Sequence, residues 1–549
     1  MLASFMSAIG QIELNVKLYP GNQALQQFLQ SDKGTGSLAK SLPAGLAQNF
    51  PFLQKVQKAQ GFQTDPRKKG ISPELDVLFS LTFDENGNNS SLINQLRSSG
   101  AFEFVEENRT MQLHDSPHEI IPTDDSLSSQ WYHSFIQSFE AWEYTKGSPN
   151  IKIGVIDTGL DYDHPEFTGQ YLVNSLEDAN ANGSFEPWPS TEQRNGVSGD
   201  FDGLDNDNNG FIDDVSGYDF TDQPRNPVGG DYLFPDPNPT DDNNHGTMVS
   251  GVIFAKHDNT FGGAGLAPDC KLLPIRAFGP SGAGEDDDIA RSIIYAADQG
   301  VQILNFSFGD IYPSLMVHEA IKYAYNKGIV MVSSAGNARG DDLHYPSGFN
   351  EVISVSASTA DLESGREFLF PLSSYGLTVD LCAPGAGIFT PIPRDTSMSI
   401  NESFIRTQGT SFSAPMVAAT IALLFAKDGI RTPQQIRGIL TSSADDLSDP
   451  GWDHLTGAGR LNILRALQVV GASHVELISP ENDRGSDKNE VFIIGTVLDP
   501  EFEKYHIEYQ VGTEDDNPWI PILADQVYQT DQDTLARWDL TDLAEGEYT

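Results

Sequence analysis

Residues 123–472 of this 549-residue chain read as an α/β domain, a doubly wound parallel sheet with helices on both faces. Short apolar runs predict the sheet: residues 151–157, 271–278, 301–308, 329–334 and 352–357 have the near-continuous hydrophobicity of strands buried on both sides. Residues 286–299 and 315–327 carry helical spacing between those runs. Strands alternating with helices imply parallel pairing through crossovers. A change of pattern on either side sets off two flanks, a small α+β region before the domain and a truncated β-sandwich after it.

The flanks can be justified element by element. Residues 1–9 are apolar but lack a basic start, and read as the remnant of a secretory signal peptide whose beginning is missing. Within residues 10–116, 12–18 and 75–83 alternate as strands. Leu92, Ile93 and Leu96 give 90–98 a helical face, and 102–105 and 110–113 are further strands. Residues 473–549 alternate again at 491–497 and 505–511, with Trp519 and Trp538 as expected core aromatics. That stretch reads as an incomplete sandwich of immunoglobulin or fibronectin type.

Three polar residues stand where the central domain should place a site. In Gly409-Thr410-Ser411-Phe412-Ser413-Ala414-Pro415 a serine precedes an apolar run of helix formers. Pro415 is expected in the first turn of that helix, which puts Ser411 at its positive end. Asp157 closes the apolar run 151–157, at the carboxyl end of a strand. His245, in Asn244-His245-Gly246-Thr247, precedes a small-residue helix start. Singly, each has an ordinary explanation as a helix cap or a satisfied histidine. Together, the order Asp, His, Ser is that of subtilisin, and over residues 125–470 the three stretches resemble those of the subtilisin-like serine peptidases, the subtilase family.

The resemblance implies further roles. Asn337, in Ala335-Gly336-Asn337 after the run 329–334, matches the asparagine whose side-chain amide serves as an oxyanion donor. Ser307, Phe308 and Gly309, and Gly282, Ala283 and Gly284, match the two edges that hold an extended substrate. Ala335 and Gly336 join Ser307–Gly309 in walling a specificity pocket, and His344 falls where the family often has a small residue. Residues 10–116 resemble the family's inhibitory, chaperone-like propeptide, with residues 112–122 as the maturation linker.

Residues 199–216 form an acidic insertion between the Asp157 and His245 stretches. Asp205, Asp207 and Asn209 recur at alternate positions before Gly210, the D-x-D-x-N-G layout of a calcium loop. Its candidate ligands are Asp205, Asp207, Asn209, Phe211 and Asp213. Ser216 stands where a calcium loop has its final glutamate. A second candidate calcium site, matching a loop of many subtilases, comprises Asp124, Glu166, Asp258 and Asn259. For residues 199–216 an ordinary solvated acidic turn is the alternative; at the second site Glu166 replaces a shorter acid.

The chain carries 78 acidic and 33 basic residues, a net charge of −45. That charge argues against nucleic acid and anionic membranes as partners, and suits a soluble protein in a calcium-containing medium. The two cysteines, Cys270 and Cys382, lie in or beside apolar runs and are expected buried and unpaired. No apolar run has the length of a membrane span.

These readings converge on a secreted, calcium-stabilised serine endopeptidase acting on protein or peptide substrates, with its own propeptide as intramolecular inhibitor. Two alternatives stay open at this level. One is a processing protease favouring basic residues through Glu285 and Asp286, which otherwise read as acids on a helix N-terminus. The other is a surface binding protein on an inactive scaffold.

Overall fold

The computed structural model describes residues 11–18, 23–30, 43–50, 56–61, 78–84, 89–107, 120–222, 234–394, 403–469, 474–480, 485–486, 488–498, 502–512, 518–546 and 548. The chain forms two compact units, Met1–Ser116 and Pro117–Thr549. The expected signal remnant at 1–9 and the strand at 110–113 lie outside the described residues, as does most of the linker 112–122.

The first unit has the order β1 (Gln11–Leu18), α1 (Gln23–Gln30), α2 (Ala44–Asn49), β2 (Val56–Gly61), β3 (Leu78–Asp84), α3 (Asn89–Ser98), β4 (Phe102–Glu107). Its antiparallel sheet runs β2-β3-β1-β4. Val16 and Leu18, two apart on β1, point to one face and meet Leu29, Leu81, Phe83 and Leu96 in a separate core. The sequence pattern missed α1, α2 and β2. The helices are only eight and six residues long, and β2 is mostly polar.

The second unit opens with short helices α4 (Tyr132–Phe135) and α5 (Ser138–Ala141), then β5 (Lys152–Asp157). A small hairpin of β6 (Gln193–Arg194) and β7 (Val197–Ser198) follows, and the acidic insertion then leads to β8 (Tyr218–Asp219). Next come α6 (His245–Phe254), β9 (Lys271–Arg276), α7 (Asp286–Asp298), β10 (Ile303–Phe306), α8 (Leu315–Asn326), β11 (Val330–Ser334), β12 (Val352–Asp361), β13 (Arg366–Leu369) and β14 (Leu381–Pro384). The sheet order is β13-β12-β11-β10-β5-β9-β8, with β14 also along β12. Every pairing is parallel except that of the edge strand β13.

Alternate side chains enter two separate cores, as a period of two demands. Ile153, Ile303, Val330 and Val332 face one, and Ile156, Leu304 and Met331 face the other, against α7 and α8. Burial on both sides is why these strands read as continuous apolar runs. Cys270 and Cys382 are both buried and free.

After a hairpin of β15 (Ala386–Pro391) and β16 (Phe404–Gln408) comes α9 (Thr410–Asp428), then α10 (Pro433–Ser443) and α11 (Ile463–Gln468). Residues Thr410 to Phe425 of α9 are all buried. Among the described residues this is the one helix long and apolar enough to cross a membrane, and 83% of its apolar window lies inside the fold. It is apolar all round because it is surrounded.

Here one expectation is corrected: α9 starts at Thr410, so Pro415 lies inside the helix rather than in its first turn. Proline cannot donate to the carbonyl four residues back, which here is Ser411 O. The hydroxyl of Ser307 donates to that oxygen instead, at 2.8 Å.

The C-terminal strands are β17 (His474–Ser479), β18 (Glu490–Leu498), β19 (Tyr505–Tyr509), β20 (Ile520–Gln526) and β21 (Thr530–Asp539). They form sheets β17-β18-β21 and β19-β20 over a small core of Ile493, Val497, Leu535 and Ala536. Trp538 packs against that core. Trp519 does not: it is 48% exposed.

Candidate active site

Adjacent parallel strands bring their carboxyl ends to one rim, where open α/β sheets form their crevices. Asp157 ends β5, Ser307 follows β10, and Ala335, Gly336 and Asn337 follow β11.

Asp157 is 3% exposed. His245 Nδ1 donates to its Oδ1 at 2.8 Å and approaches Oδ2 at 3.0 Å. With Nδ1 carrying the proton, Nε2 is left as the basic nitrogen. Burial pushes the pKa of His245 down, but the charge and hydrogen bond of Asp157, joined by the charge of Asp241, outweigh it. The net shift is upward from 6.5.

Two glycines let the β5 loop meet α6. A Cβ on Gly246 would stand 2.3 Å from Gly159 O, and one on Gly159, at φ 105°, would stand 2.5 Å from Pro239 O. Asp241 then ties the two segments together. Its Oδ1 accepts the Thr158 hydroxyl and the Asn244 N–H, each at 2.8 Å, and its Oδ2 accepts the Thr247 N–H at 2.9 Å. Arg276 pairs with Asp157 across β5 and β9. Its buried guanidinium holds Asp219 at 3.1 Å and Asp242 at 2.9 Å. Neither Asp241 nor Arg276 was anticipated. In sequence Asp241 and Asp242 are an acidic pair before a helix, and Arg276 ends an apolar run.

Ser411 lies in the first turn of α9, where backbone N–H groups have no helical acceptor. It is 9% exposed. Its hydroxyl donates to Ser307 O at 3.2 Å. The next residue, Phe412, lies against His245, with ring centroids 5.9 Å apart. Among the described residues no hydrogen bond joins Ser411 to His245 in this resting arrangement.

Asn337 is held by its carbonyl side. Its Oδ1 accepts the Thr410 N–H at 2.9 Å and the Thr410 hydroxyl at 3.2 Å. Its Nδ2 has no protein acceptor among the described residues and is left for another. Gly409, at φ 135°, brings the chain to the Asn337 amide, where a Cβ would stand 3.4 Å from Oδ1.

The expected pocket walls come together, and His344 fills the space between them. A Cβ on Gly309 would stand 2.2 Å from His344 Cε1, and one on Gly336 would stand 2.9 Å from its Cδ2. Asp310 and Tyr345 exchange backbone hydrogen bonds at 2.9 and 2.7 Å, which fixes the imidazole opposite Gly309. Burial lowers the pKa of His344, against the charge of nearby Asp310, so the ring is neutral at pH 7. Gly282, Ala283 and Gly284 lie in the turn after β9, with the Gly279 N–H donating to Ala283 O at 3.0 Å. Glu285 precedes α7 and Asp286 is in its first turn, as acids on a helix N-terminus would be.

The profile of the subtilase family matches residues 148–459. The chain belongs to that family. Thermophilic serine proteinase of Bacillus sp. (strain AK1) is 30% identical over 397 residues, 72% of this chain and 79% of the relative. Thermitase of Thermoactinomyces vulgaris is 31% identical over 350 residues, 63% of this chain and 99% of the relative. Minor extracellular protease Epr of Bacillus subtilis (strain 168) is 26% identical over 373 residues, 67% of this chain and 47% of the relative. This subtilase is a serine endopeptidase.

Its two expected cation loops assemble in part. In the insertion, the carboxylates of Asp205 and Asp207 converge with that of Glu177, which comes from outside the loop. Glu177 is fully buried, and its Oε2 has no partner among the described residues. Asp213 turns elsewhere: its Oδ1 accepts the N–H groups of Asp202 and Gly203 at 2.8 and 3.1 Å. Asn209 caps the loop, with Oδ1 accepting the Phe211 N–H at 2.7 Å. The Phe211 ring packs on Tyr218, Phe220 and Tyr295.

In the second loop, Asp124 accepts the N–H groups of Asp258 and Asn259, both at 3.1 Å, while Glu166 accepts Asn259 Nδ2 at 3.1 Å. Asp258 turns its own carboxylate to Lys146, at 3.3 Å, and to the Thr123 N–H. Glu166 is fully buried, its Oε1 has no partner among the described residues, and burial pushes its pKa up to about 8. An orphaned buried carboxylate oxygen in each loop fits a hard cation.

Proposed function

We propose that this subtilase is a secreted, calcium-stabilised endopeptidase whose nucleophile is Ser411. The Ser411 hydroxyl leaves Ser307 O and attacks the peptide carbonyl, and His245 Nε2 takes its proton. The resulting imidazolium faces the Asp157 carboxylate, which stabilises it and keeps Nδ1 as the donor. Asn337 Nδ2 and the Ser411 N–H hold the oxyanion of the tetrahedral intermediate. As that intermediate collapses, His245 returns the proton to the leaving amine. Water then attacks the acyl-enzyme by the same route and frees Ser411.

The observation that carries the reading is the Asp157–His245 contact at 2.8 Å beside an asparagine whose carbonyl is tied down and whose amide is left free. Substrate would lie extended between residues 307–309 and 282–284, held by backbone hydrogen bonds that accept many sequences. Asp205, Asp207 and Glu177 would hold one calcium ion, and Asp124, Glu166 and Asn259 another. Each ion would neutralise carboxylates that otherwise repel. Residues 10–116, with their own core, would serve as inhibitory pro-region. Secretion is supported by the net charge of −45 and by the relative named as an extracellular protease.

The test is Ser411→Ala. Casein hydrolysis by the purified variant should vanish while its circular dichroism stays that of the parent. Retained hydrolysis would assign the chemistry elsewhere.

A further inference from the structure

Upstream of the acidic insertion, residues 178–186 hold a second copy of the cation-loop frame of residues 205–213. Asp178-Ala179-Asn180-Ala181-Asn182-Gly183-Ser184-Phe185-Glu186 has oxygen side chains at places one, three, five and nine and glycine at six. The two loops share a left-handed backbone at places four and six. Ala181 and Asn208, both at place four, have φ of 57° and 60°, and Gly183 and Gly210 have φ of 77° and 96°. The bonds within them match as well. Asp178 Oδ2 accepts the Gly183 N–H at 2.8 Å, as Asp205 Oδ2 accepts that of Gly210 at 3.0 Å.

Matching loops would not by themselves make a site; the buried oxygens do. Asp178 is 7% exposed, and its Oδ1 has no partner among the described residues. Asp200 is fully buried and accepts the Glu186 N–H at 2.6 Å, so those two lie together. Among the described residues no lysine or arginine pairs with any of the three. Asn180 Nδ2 sits where three oxygens converge: Asp200 Oδ1 at 2.6 Å, Ser198 O at 2.7 Å and Glu186 Oε2 at 3.1 Å. An amide has two hydrogens for three acceptors, so this nitrogen occupies a point that suits a cation better. The negative charges of Glu186 and Asp178 both act on Asp200.

We propose that Asp178, Asn180, Asn182, Glu186, Asp200 and the carbonyl of Ser198 bind a further divalent cation, of the calcium class. A many-oxygen cage on a flexible loop suits calcium better than magnesium, which keeps most of its water. The adjacent residues Glu177 and Asp178 divide between the loops, Glu177 serving Asp205 and Asp207. The segment 177–214 is then a two-ion clamp around that dipeptide. It docks on α7 through Asp214, which accepts the Tyr295 hydroxyl at 2.9 Å and Gln299 Nε2 at 2.8 Å. The site stands apart from the chemistry at Ser411, so its failure and that of the peptidase reading are distinguishable.

The full chain carrying Ser411→Ala, which cannot digest itself, is the material for the test. Bound calcium is counted by equilibrium dialysis. Asp178→Asn with Asp200→Asn should lose one ion per chain, Asp205→Asn with Asp207→Asn a different one, and all four substitutions together should lose two. An unchanged count in the Asp178 and Asp200 pair overturns the proposal. If that pair does not fold, terbium luminescence decides. Trp188 lies against the Gly199–Asp200 backbone, its carbonyl 1.8 Å from where a Gly199 Cβ would stand. Trp188→Phe should therefore dim tryptophan-sensitised terbium emission while leaving the calcium count intact. Undimmed emission overturns the proposal.

Discussion

Replacing Glu166 with glutamine should stabilise the calcium-free protein and destabilise the calcium-loaded one. The buried carboxyl has a pKa of about 8 without a cation, against an ordinary 4.5. A carboxyl whose folded pKa is raised binds an extra proton on folding. The stability of the metal-free fold therefore falls as pH climbs from 4.5 through 8. Linkage between those two values gives a cost of about 3 kcal/mol at pH 7 and about 1 kcal/mol at pH 5. Glutamine carries no such cost, so Glu166→Gln in chelator should gain up to that amount at pH 7 and much less at pH 5. In calcium the sign reverses, because the wild type gains binding free energy that the variant has lost. The assay is urea unfolding of the Ser411→Ala chain at both pH values, with calcium and with chelator. Equal destabilisation in all four conditions would refute the reasoning and leave Glu166 as a packing residue.

Three further substitutions follow from the geometry at the rim. Asn337→Ala should lower kcat about 10²- to 10³-fold with little change in KM, the size known for one oxyanion donor in subtilisin, a member of this family; steady-state kinetics on a peptide amide checks it. The raised pKa of His245 should place the acid limb of kcat/KM above pH 6.5, because the imidazole must be neutral to accept a proton. Asp157→Asn should lower kcat by about 10⁴ and move that limb to lower pH. His344→Gly should open the pocket between Gly309 and Gly336. A peptide library should then favour large aromatic side chains before the cleaved bond by ten- to a hundred-fold more than wild type, on the order of one or two buried methylene groups' discrimination. An unchanged profile would place the pocket elsewhere.

The candidate rim was legible because each of its residues ends an apolar run or begins a small-residue helix, features with strong local patterns. Asp157, His245, Ser411 and Asn337 stand at such ends. What supports them was not legible. Arg276 and Asp241 act through contacts between distant segments, and nothing in their neighbours marks that. The position of Pro415 misled, because the hydroxyl of Ser307 supplies what proline withholds, and that hydroxyl lies far away in sequence. For the cation loops, residue spacing identified the frame but not which carboxylates turn inward. Asp213 and Asp258 found backbone N–H groups and a lysine, while Glu177 arrived from outside the loop. The repeat of the frame at 178–186 was readable in the spacing of Asp178, Asn180, Asn182 and Gly183, but its closing acid, Asp200, was not.

A fluorophosphonate probe tests the nucleophile assignment most directly. Reaction with the mature enzyme, digestion and mass spectrometry should locate one phosphonate adduct, on Ser411, and His245→Ala should abolish it. An adduct on another serine, or labelling that persists without His245, would contradict the assignment of this rim as the place where peptide bonds are cut.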